Sequence, residues 1–173
     1  MRRCRGSALV EFTLVAIPLL FVVISIFEMS RGMWMYHTLE SAVTEGANWA
    51  AVNGQNCGNN ANLCTCPLNA ASHGDSIDCV ARVISAAALG IPADTTNFAV
   101  TLTSGASSVS CNPLSSCFDN PGVWSTSNVV GTVVLVQGQV PFSSAIALFW
   151  PGAGSQQAAA VTLTASSSQI VQF

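Results

Sequence analysis

The sequence predicts an α+β protein: a long N-terminal transmembrane and amphipathic helix, followed by a small disulfide-bonded domain with a second helix and an antiparallel sheet of three or more strands. Three observations predict this fold: an apolar stretch near the N-terminus, six cysteines beyond it, and alternating apolar positions in the second half of the chain. Of the 173 residues 50% are hydrophobic, 8% are charged and none is lysine. Because this composition is too apolar for an ordinary soluble domain, it favours a membrane segment.

The apolar stretch runs from Ala8 to Phe27, and Glu11 is its single ionisable residue. About 20 residues at about 1.5 Å each give about 30 Å of helix, enough to cross the hydrocarbon core of a bilayer. A removable signal peptide is disfavoured, because the stretch is too long and no small-residue cleavage pattern follows it. The positive-inside tendency places the N-terminus in the cytoplasm, since three of the five basic residues precede the stretch: Arg2, Arg3 and Arg5.

The helical pattern continues beyond the apolar stretch. Apolar residues recur at steps of three and four: Met29, Met33, Tyr36, Leu39, Val43, Ala47 and Ala50. Residues 7–52 are therefore predicted to form one helix of about 70 Å. Gly32 and Gly46 have two interpretations of equal weight. Either the helix simply tolerates a glycine at these positions, or another helix approaches it closely there. Glu28 and Arg31 are interpreted as an i, i+3 ion pair, with an inter-subunit contact as the alternative.

The cysteines predict disulfides in an oxidising compartment. Six of them follow the N-terminal region: Cys57, Cys64, Cys66, Cys79, Cys111 and Cys117. Cys111 and Cys117 flank a short loop and pair most simply with each other, which leaves the other four in one of three arrangements. A zinc site at the "CTC" motif is disfavoured, because its spacing matches no zinc finger. No metal or other cofactor is expected.

The domain after the long helix begins with a loop and a second helix. The segment "GDSIDCVARVISAAALGIP" predicts a helix that Asp75 or Ser76 caps and that Gly90 and Pro92 end. Asp78 is interpreted as an acidic residue that complements the helix dipole.

Three strands are predicted in the second half of the domain, by "NFAVTLT", "NVVGTVVLVQGQVPF" and "AAVTLTA". Serine-, glycine- and alanine-rich stretches near residues 104–110 and 152–159 are predicted to be connectors. The apolar segment "AIALFWPGAG" at 145–154 has two interpretations: a patch that binds another subunit, or core beneath the sheet.

The segment "RGSALVEFTLV" resembles the start of a type IV prepilin. Further residues resemble the TadE-like minor pilins of tight-adherence (Tad) systems: Val10-Glu11-Phe12, Pro18 followed by aliphatic residues, Glu28 with Arg31, and Glu45-Gly46-Ala47. The resemblance implies that a prepilin peptidase cuts between Gly6 and Ser7 and that Glu11 is the assembly carboxylate. With this leader at 1–6, the patterns described above divide the rest of the chain into a transmembrane helix at 7–27, its extracytoplasmic continuation at 28–52, and an α+β domain at 53–173.

A physical reason supports the role of Glu11. Cleavage creates an ammonium on Ser7, about one helical turn and about 6 Å along the axis from Glu11. Pairing the two charges offsets the cost of placing either one in lipid. The alternative is that Glu11 merely lies at the membrane interface, where it needs no partner.

The function implied by the resemblance is that of a minor pilin or pseudopilin in the bacterial inner membrane, which contributes to assembly or priming of a Tad pilus for adhesion or secretion. Its partners would be other pilin subunits, the prepilin peptidase, the assembly platform and motor, and the lipid bilayer. The alternative is a permanently anchored extracytoplasmic binding protein that enters no filament. Nucleic-acid binding is not expected, because the chain beyond Gly6 is acidic. Catalysis is not expected either, because the sequence has two histidines and neither a G-x-S-x-G elbow nor a P-loop.

Overall fold

The structure is a computed structural model that describes residues 6–53, 66, 77–119, 129–144 and 161–172. The chain divides into two compact units. The first consists of Met1–Trp34 and Ser143–Ala160, and the second of Met35–Phe142 and Val161–Phe173.

Helix α1 spans Gly6–Val52 and contains 47 residues, which confirms the predicted long N-terminal helix. Its first half is long and apolar enough to cross a membrane. Hydroxyl groups there donate to carbonyl oxygens of the preceding turn, as from Ser25 to Phe21 at 2.8 Å and from Ser30 to Ile26 at 2.8 Å. Because a bilayer core supplies no water, such internal bonds suit a helix that lies in lipid.

The second unit contains a four-stranded antiparallel sheet in the order β2-β1-β3-β4. The strands are β1 (Ala99–Ser104), β2 (Ser107–Cys111), β3 (Val133–Phe142) and β4 (Val161–Ile170). Alternate residues of the two central strands are buried on one face: Val100, Leu102, Val134, Val136 and Val140. Helix α2 spans Ile77–Ala87, and a 3-10 helix spans Leu114–Cys117.

Two glycines allow the second half of α1 to approach the rest of the core closely. A Cβ atom at Gly138 of β3 would lie 2.7 Å from Cγ2 of Val43. A Cβ atom at Gly46 of α1 would lie 2.4 Å from Cγ1 of Ile84 in α2. The α1 helix therefore contacts the sheet on one side and α2 on another, and the interpretation of Gly46 as a point of close helix approach is confirmed.

The end of α2 follows the sequence prediction. The helix ends at Ala87, and Gly90 then has a φ of 81°, a left-handed conformation that a glycine adopts without strain. The predicted caps Asp75 and Ser76 lie outside the described residues.

The strands agree in part with the prediction. Phe98, Val100 and Leu102 are buried at or beside β1, as their alternation indicates. The long strand β3 begins at Val133, later than predicted, because Gly131 adopts a φ of 88° and Val129–Thr132 form a turn.

The stretch near 104–110 was predicted to be a connector, and this prediction is wrong. It contains the turn at Gly105 and strand β2, whose residues pair with β1 along its length. Serine-rich composition concealed this strand, because β2 buries one residue fully, Cys111, and leaves the others partly or wholly exposed. The segments at 145–154 and 152–159 lie outside the described residues.

Candidate functional site

The N-terminal part of α1 carries the predicted processing and assembly residues. The helix begins at Gly6, and Glu11 is exposed among apolar side chains such as Phe12, which is 70% exposed. Gly6, Ser7 and Glu11 lie on this one helix, so Ser7 and Glu11 are separated by about one turn. The side chain of Ser7 lies outside the described residues. An exposed carboxylate on an apolar helix is a functional-site candidate when that helix lies in lipid.

A polar contact lies further along the same unit. Arg31 Nη2 is 3.7 Å from Oε2 of Glu28, which confirms the predicted i, i+3 ion pair. The same nitrogen donates a hydrogen bond to the carbonyl oxygen of Ser143, 112 residues away in the sequence. The Glu28 side chain is 15% exposed and that of Arg31 is 52% exposed. Sequence reasoning missed Ser143, because a carbonyl oxygen leaves no signature in a sequence.

Two disulfides lie among the described residues of the second unit. Cys111–Cys117, which the short loop predicts, is confirmed with a Cα–Cα distance of 5.6 Å. Cys66 bonds to Cys79 of α2, also at 5.6 Å between Cα atoms. Cys57, Cys64 and His73 lie outside the described residues. Because Cys66 is in a disulfide, its sulfur is not a free zinc ligand, and the described residues contain no group of three metal-ligating side chains.

An ion-pair cluster around the buried Asp78 joins α2 to the segment after the 3-10 helix. Oδ1 of Asp78 accepts hydrogen bonds from Nε of Arg82 at 2.7 Å and from the backbone N–H of Asp119 at 2.9 Å. Nη2 of Arg82 donates to Oδ1 of Asp119 at 2.7 Å, and its guanidinium lies 4.9 Å from the centre of the Phe118 ring. The hydrogen bond to Asp78 raises the pKa of Arg82 above its ordinary value, so the guanidinium stays charged.

This cluster refines the interpretation of Asp78. The residue is in the first turn of α2, as a dipole partner would be, but its side chain is 1% exposed and is bonded to Arg82 and Asp119. The i, i+4 spacing of Asp78 and Arg82 was a usable sequence signal. Asp119 was not predictable, because it lies 41 residues from Asp78. Within the second unit the cluster ties α2 to the segment that follows the 3-10 helix.

A comparison with known protein families finds a match that lies within helix α1. The family model described as TadE-like protein matches residues 6–48. Residues 6–48 are TadE-like. The match confirms, over those residues, the resemblance predicted from the sequence. No curated protein and no solved structure matches the chain significantly.

The TadE-like segment covers nearly all of α1. It contains Glu11, the Glu28–Arg31 ion pair and the core residues Val43 and Gly46. The similarity therefore includes the apolar half of the helix and also the half that packs in the second unit.

Proposed function

We propose that this chain is a membrane-anchored minor pilin or pseudopilin, processed between Gly6 and Ser7, that contributes to assembly or priming of a Tad pilus. One observation carries the proposal: the TadE-like match covers residues 6–48, which include Gly6, Ser7 and the exposed Glu11 on the apolar part of α1. A cut after Gly6 would place the new N-terminus about one helical turn before Glu11. In this proposal Arg2, Arg3 and Arg5 belong to a leader that faces the cytoplasm, and the second unit lies outside.

The exposed carboxylate of Glu11 supports an assembly role. A charged side chain at the centre of a bilayer costs about 2.5–3.5 kcal/mol on insertion scales. Cleavage by a prepilin peptidase would give Ser7 an ammonium group. If the Glu11 carboxylate pairs with the ammonium of a neighbouring subunit, that cost is lowered only when subunits lie side by side. The pair would then favour assembly and set the axial position of one helix against the next.

The remaining contribution to assembly is packing. Apolar side chains around the first half of α1 are exposed, so they would contact lipid before assembly and like helices after it. Van der Waals contacts drive such association, since lipid tails are as apolar as the side chains. Moving the helix out of the bilayer is assigned to the assembly platform and motor. The proposed role of the chain itself is structural, and it includes no catalytic step.

The assembly role is tested by replacing Glu11 with glutamine in the native cells. Glu11→Gln removes the negative charge and keeps the size, so we expect the chain to remain in the membrane and to be lost from sheared pili or from the pilus-forming complex. Glu40→Gln is the matched control, because Glu40 lies on an exposed part of α1 in the second unit. Normal incorporation of the Glu11→Gln chain, with pili as abundant as in the wild type, would overturn the proposed role of Glu11.

A further inference from the structure

The four-stranded sheet has two edge strands, β2 and β4. In the part of the chain that the structure describes, β2 pairs with β1 alone and β4 pairs with β3 alone, so each strand has one side without a neighbouring strand. Alternate residues of an antiparallel strand direct their backbone N–H and C=O groups to each side. The ligand that satisfies such a row of groups along its length is another extended strand of polypeptide.

The edge of β4 carries none of the features that usually prevent strand pairing. A long edge strand is normally interrupted by a bulge, or it carries a charged residue or a proline. Strand β4 (Val161–Ile170) contains no charged residue, proline or glycine, and it pairs with β3 in an unbroken register over all ten residues. On its inner side Leu163, Ser167 and Gln169 stay partly exposed, whereas Val136 of β3 is fully buried. The core is therefore incompletely covered along β4.

The direction of the strands decides which edge β4 can meet. Neighbouring strands in the order β2-β1-β3-β4 are antiparallel, so β2 and β4 run in opposite directions. If an identical copy is displaced sideways without rotation, its β2 lies beside β4 of the first copy and is antiparallel to it. Both sheets then have their buried faces on the same side. The two edges of the sheet are therefore complementary to each other.

Helix α1 disfavours the alternative in which β4 pairs with β4 of a second copy. Leu39 and Val43 of α1 lie against Gly138 in the middle of β3, and the N–H of Gln172, just after β4, donates to the carbonyl oxygen of Ala51. This part of α1 therefore runs along the strands, in the direction of β4. An antiparallel β4–β4 contact would reverse α1 in one copy, whereas chains anchored by α1 in one membrane have it pointing the same way. A parallel contact would place the two buried faces on opposite sides.

A common depth in the membrane also selects the register. Within one sheet, Ser108 of β2 lies in the same row as Ser168 of β4, and Ser110 lies in the same row as Ser166. A copy displaced sideways at the same depth would place its Ser108 opposite Ser168 of the first copy, and its Ser110 opposite Ser166. All four are small, exposed hydroxyl side chains, and hydroxyl pairs of this kind across two strands are favourable.

We propose that the second unit binds a second copy of the same chain, with β4 of one copy against β2 of the next. Each contact leaves one edge of each copy open, so the contact can repeat and form a row. Neighbouring copies would lie about 19 Å apart, which is four strands at about 4.8 Å each. Two packed helices lie about 8–10 Å apart, so this contact is separate from the one proposed at Glu11. The proposal rests on the membrane anchoring in the proposed function, but not on cleavage after Gly6.

The test forms an amide bond between two differently tagged variant chains in the same native membranes. One chain carries Ser168→Lys and the other carries Ser108→Glu, and a carbodiimide joins an amine to a carboxylate without a spacer. Because the sequence contains no lysine, the new side-chain amine is unique. We expect mass spectrometry to find a peptide that links position 168 of one chain to position 108 of the other. The yield should be unchanged when both chains also carry Glu11→Gln, so a failure of the proposed assembly role would leave the link in place.

The matched control moves the carboxylate one strand further away, as Thr103→Glu in β1, which lies in the same row as Ser108. Its yield should be at least tenfold lower, because the reagent adds no length. If either variant fails to fold, Ser166→Lys with Ser110→Glu tests the neighbouring row. The proposal is overturned if no link to β2 forms, or if Thr103→Glu gives an equal yield. A link between Ser168→Lys and Ser168→Glu chains would assign the β4 edge to self-pairing and would also overturn it.

Discussion

Gly138 in the middle of β3 lies directly against Val43 of α1, so close that a Cβ atom at residue 138 would stand 2.7 Å from Cγ2 of Val43 and 3.0 Å from Cδ1 of Leu39. The helix and the sheet are therefore in contact at a point where one side has no side chain. Because this contact lies inside the buried core, the free energy of unfolding of the second unit should respond to any atom added there.

The first prediction concerns that contact. Gly138→Ala should lower the free energy of unfolding by about 1–3 kcal/mol, because the added methyl group overlaps two side chains that cannot easily move. Urea unfolding of the full chain in detergent, followed by circular dichroism, measures the loss. The double variant Gly138→Ala/Val43→Ala should lose less unfolding free energy than the sum of the two single losses, since Val43→Ala removes the nearest overlapping atom. Strict additivity of the two losses would contradict the contact.

The second prediction concerns the contact between the two helices. Gly46→Ala should destabilise the chain by about 1–3 kcal/mol even though alanine favours helix formation, because the new Cβ would lie 2.4 Å from Cγ1 of Ile84. Asn48→Ala, two residues further along at an exposed position, should leave the stability within about 0.5 kcal/mol. Equal stability of the two variants would show that α2 does not approach α1 at Gly46.

The third prediction concerns the charge cluster around the buried Asp78. Asp78→Asn should lower the free energy of unfolding by about 1–2 kcal/mol, because a neutral amide oxygen replaces the charged acceptor of the hydrogen bond from Arg82. Asp119→Asn should cost less than about 1 kcal/mol, since its side chain is 80% exposed and solvent weakens the ion pair. Asp94→Asn, at an exposed loop position, is the control. Thermal unfolding ranks the stabilities of the three variants. A larger loss of stability for Asp119→Asn than for Asp78→Asn would contradict the role of Asp78 as the main partner of Arg82.

The fourth prediction concerns the disulfides. Non-reducing peptide mapping should find Cys66 joined to Cys79 and Cys111 joined to Cys117, and the two other cysteines that follow α1 in the sequence, Cys57 and Cys64, joined to each other. Loop-entropy estimates give about 3 kcal/mol for the first bond and about 2 kcal/mol for the second, which close sequence separations of 13 and 6 residues. Paired alanine variants should therefore lose stability in that order. A peptide that links Cys66 to any other cysteine would contradict the structure.

The sequence predicted the elements whose own residues carry a periodic signal. The α1 helix, α2 and the buried alternation of β1 follow from such local patterns, and so does the ion pair between Glu28 and Arg31. Gly46 was correctly weighed as a point of close approach, although its partner Ile84 was not named, because nothing local identifies which helix will approach a glycine.

The parts that were missed depend on residues far apart in the chain. Strand β2 is rich in serine and gains its pairing from β1, so its own composition did not indicate a strand. The bonds from Asp78 to Asp119 and from Arg31 to Ser143 join segments that only the fold brings together. The candidate processing site, by contrast, was predicted from residues next to each other, because leader, cut and carboxylate lie within 11 positions of the N-terminus.

The most direct test of the central claim is the intact mass and N-terminal sequence of the chain purified from its own membranes. Processing predicts a chain that begins at Ser7, with or without a methyl group, and a mass lower than that of the free-thiol form by six hydrogens for three disulfides. Gly6→Leu should block the cut, whereas Gly138→Ala should leave it unchanged because residue 138 lies in the second unit. A wild-type chain that still begins with Met1-Arg2-Arg3 would contradict the account, and would favour a permanently anchored binding protein instead.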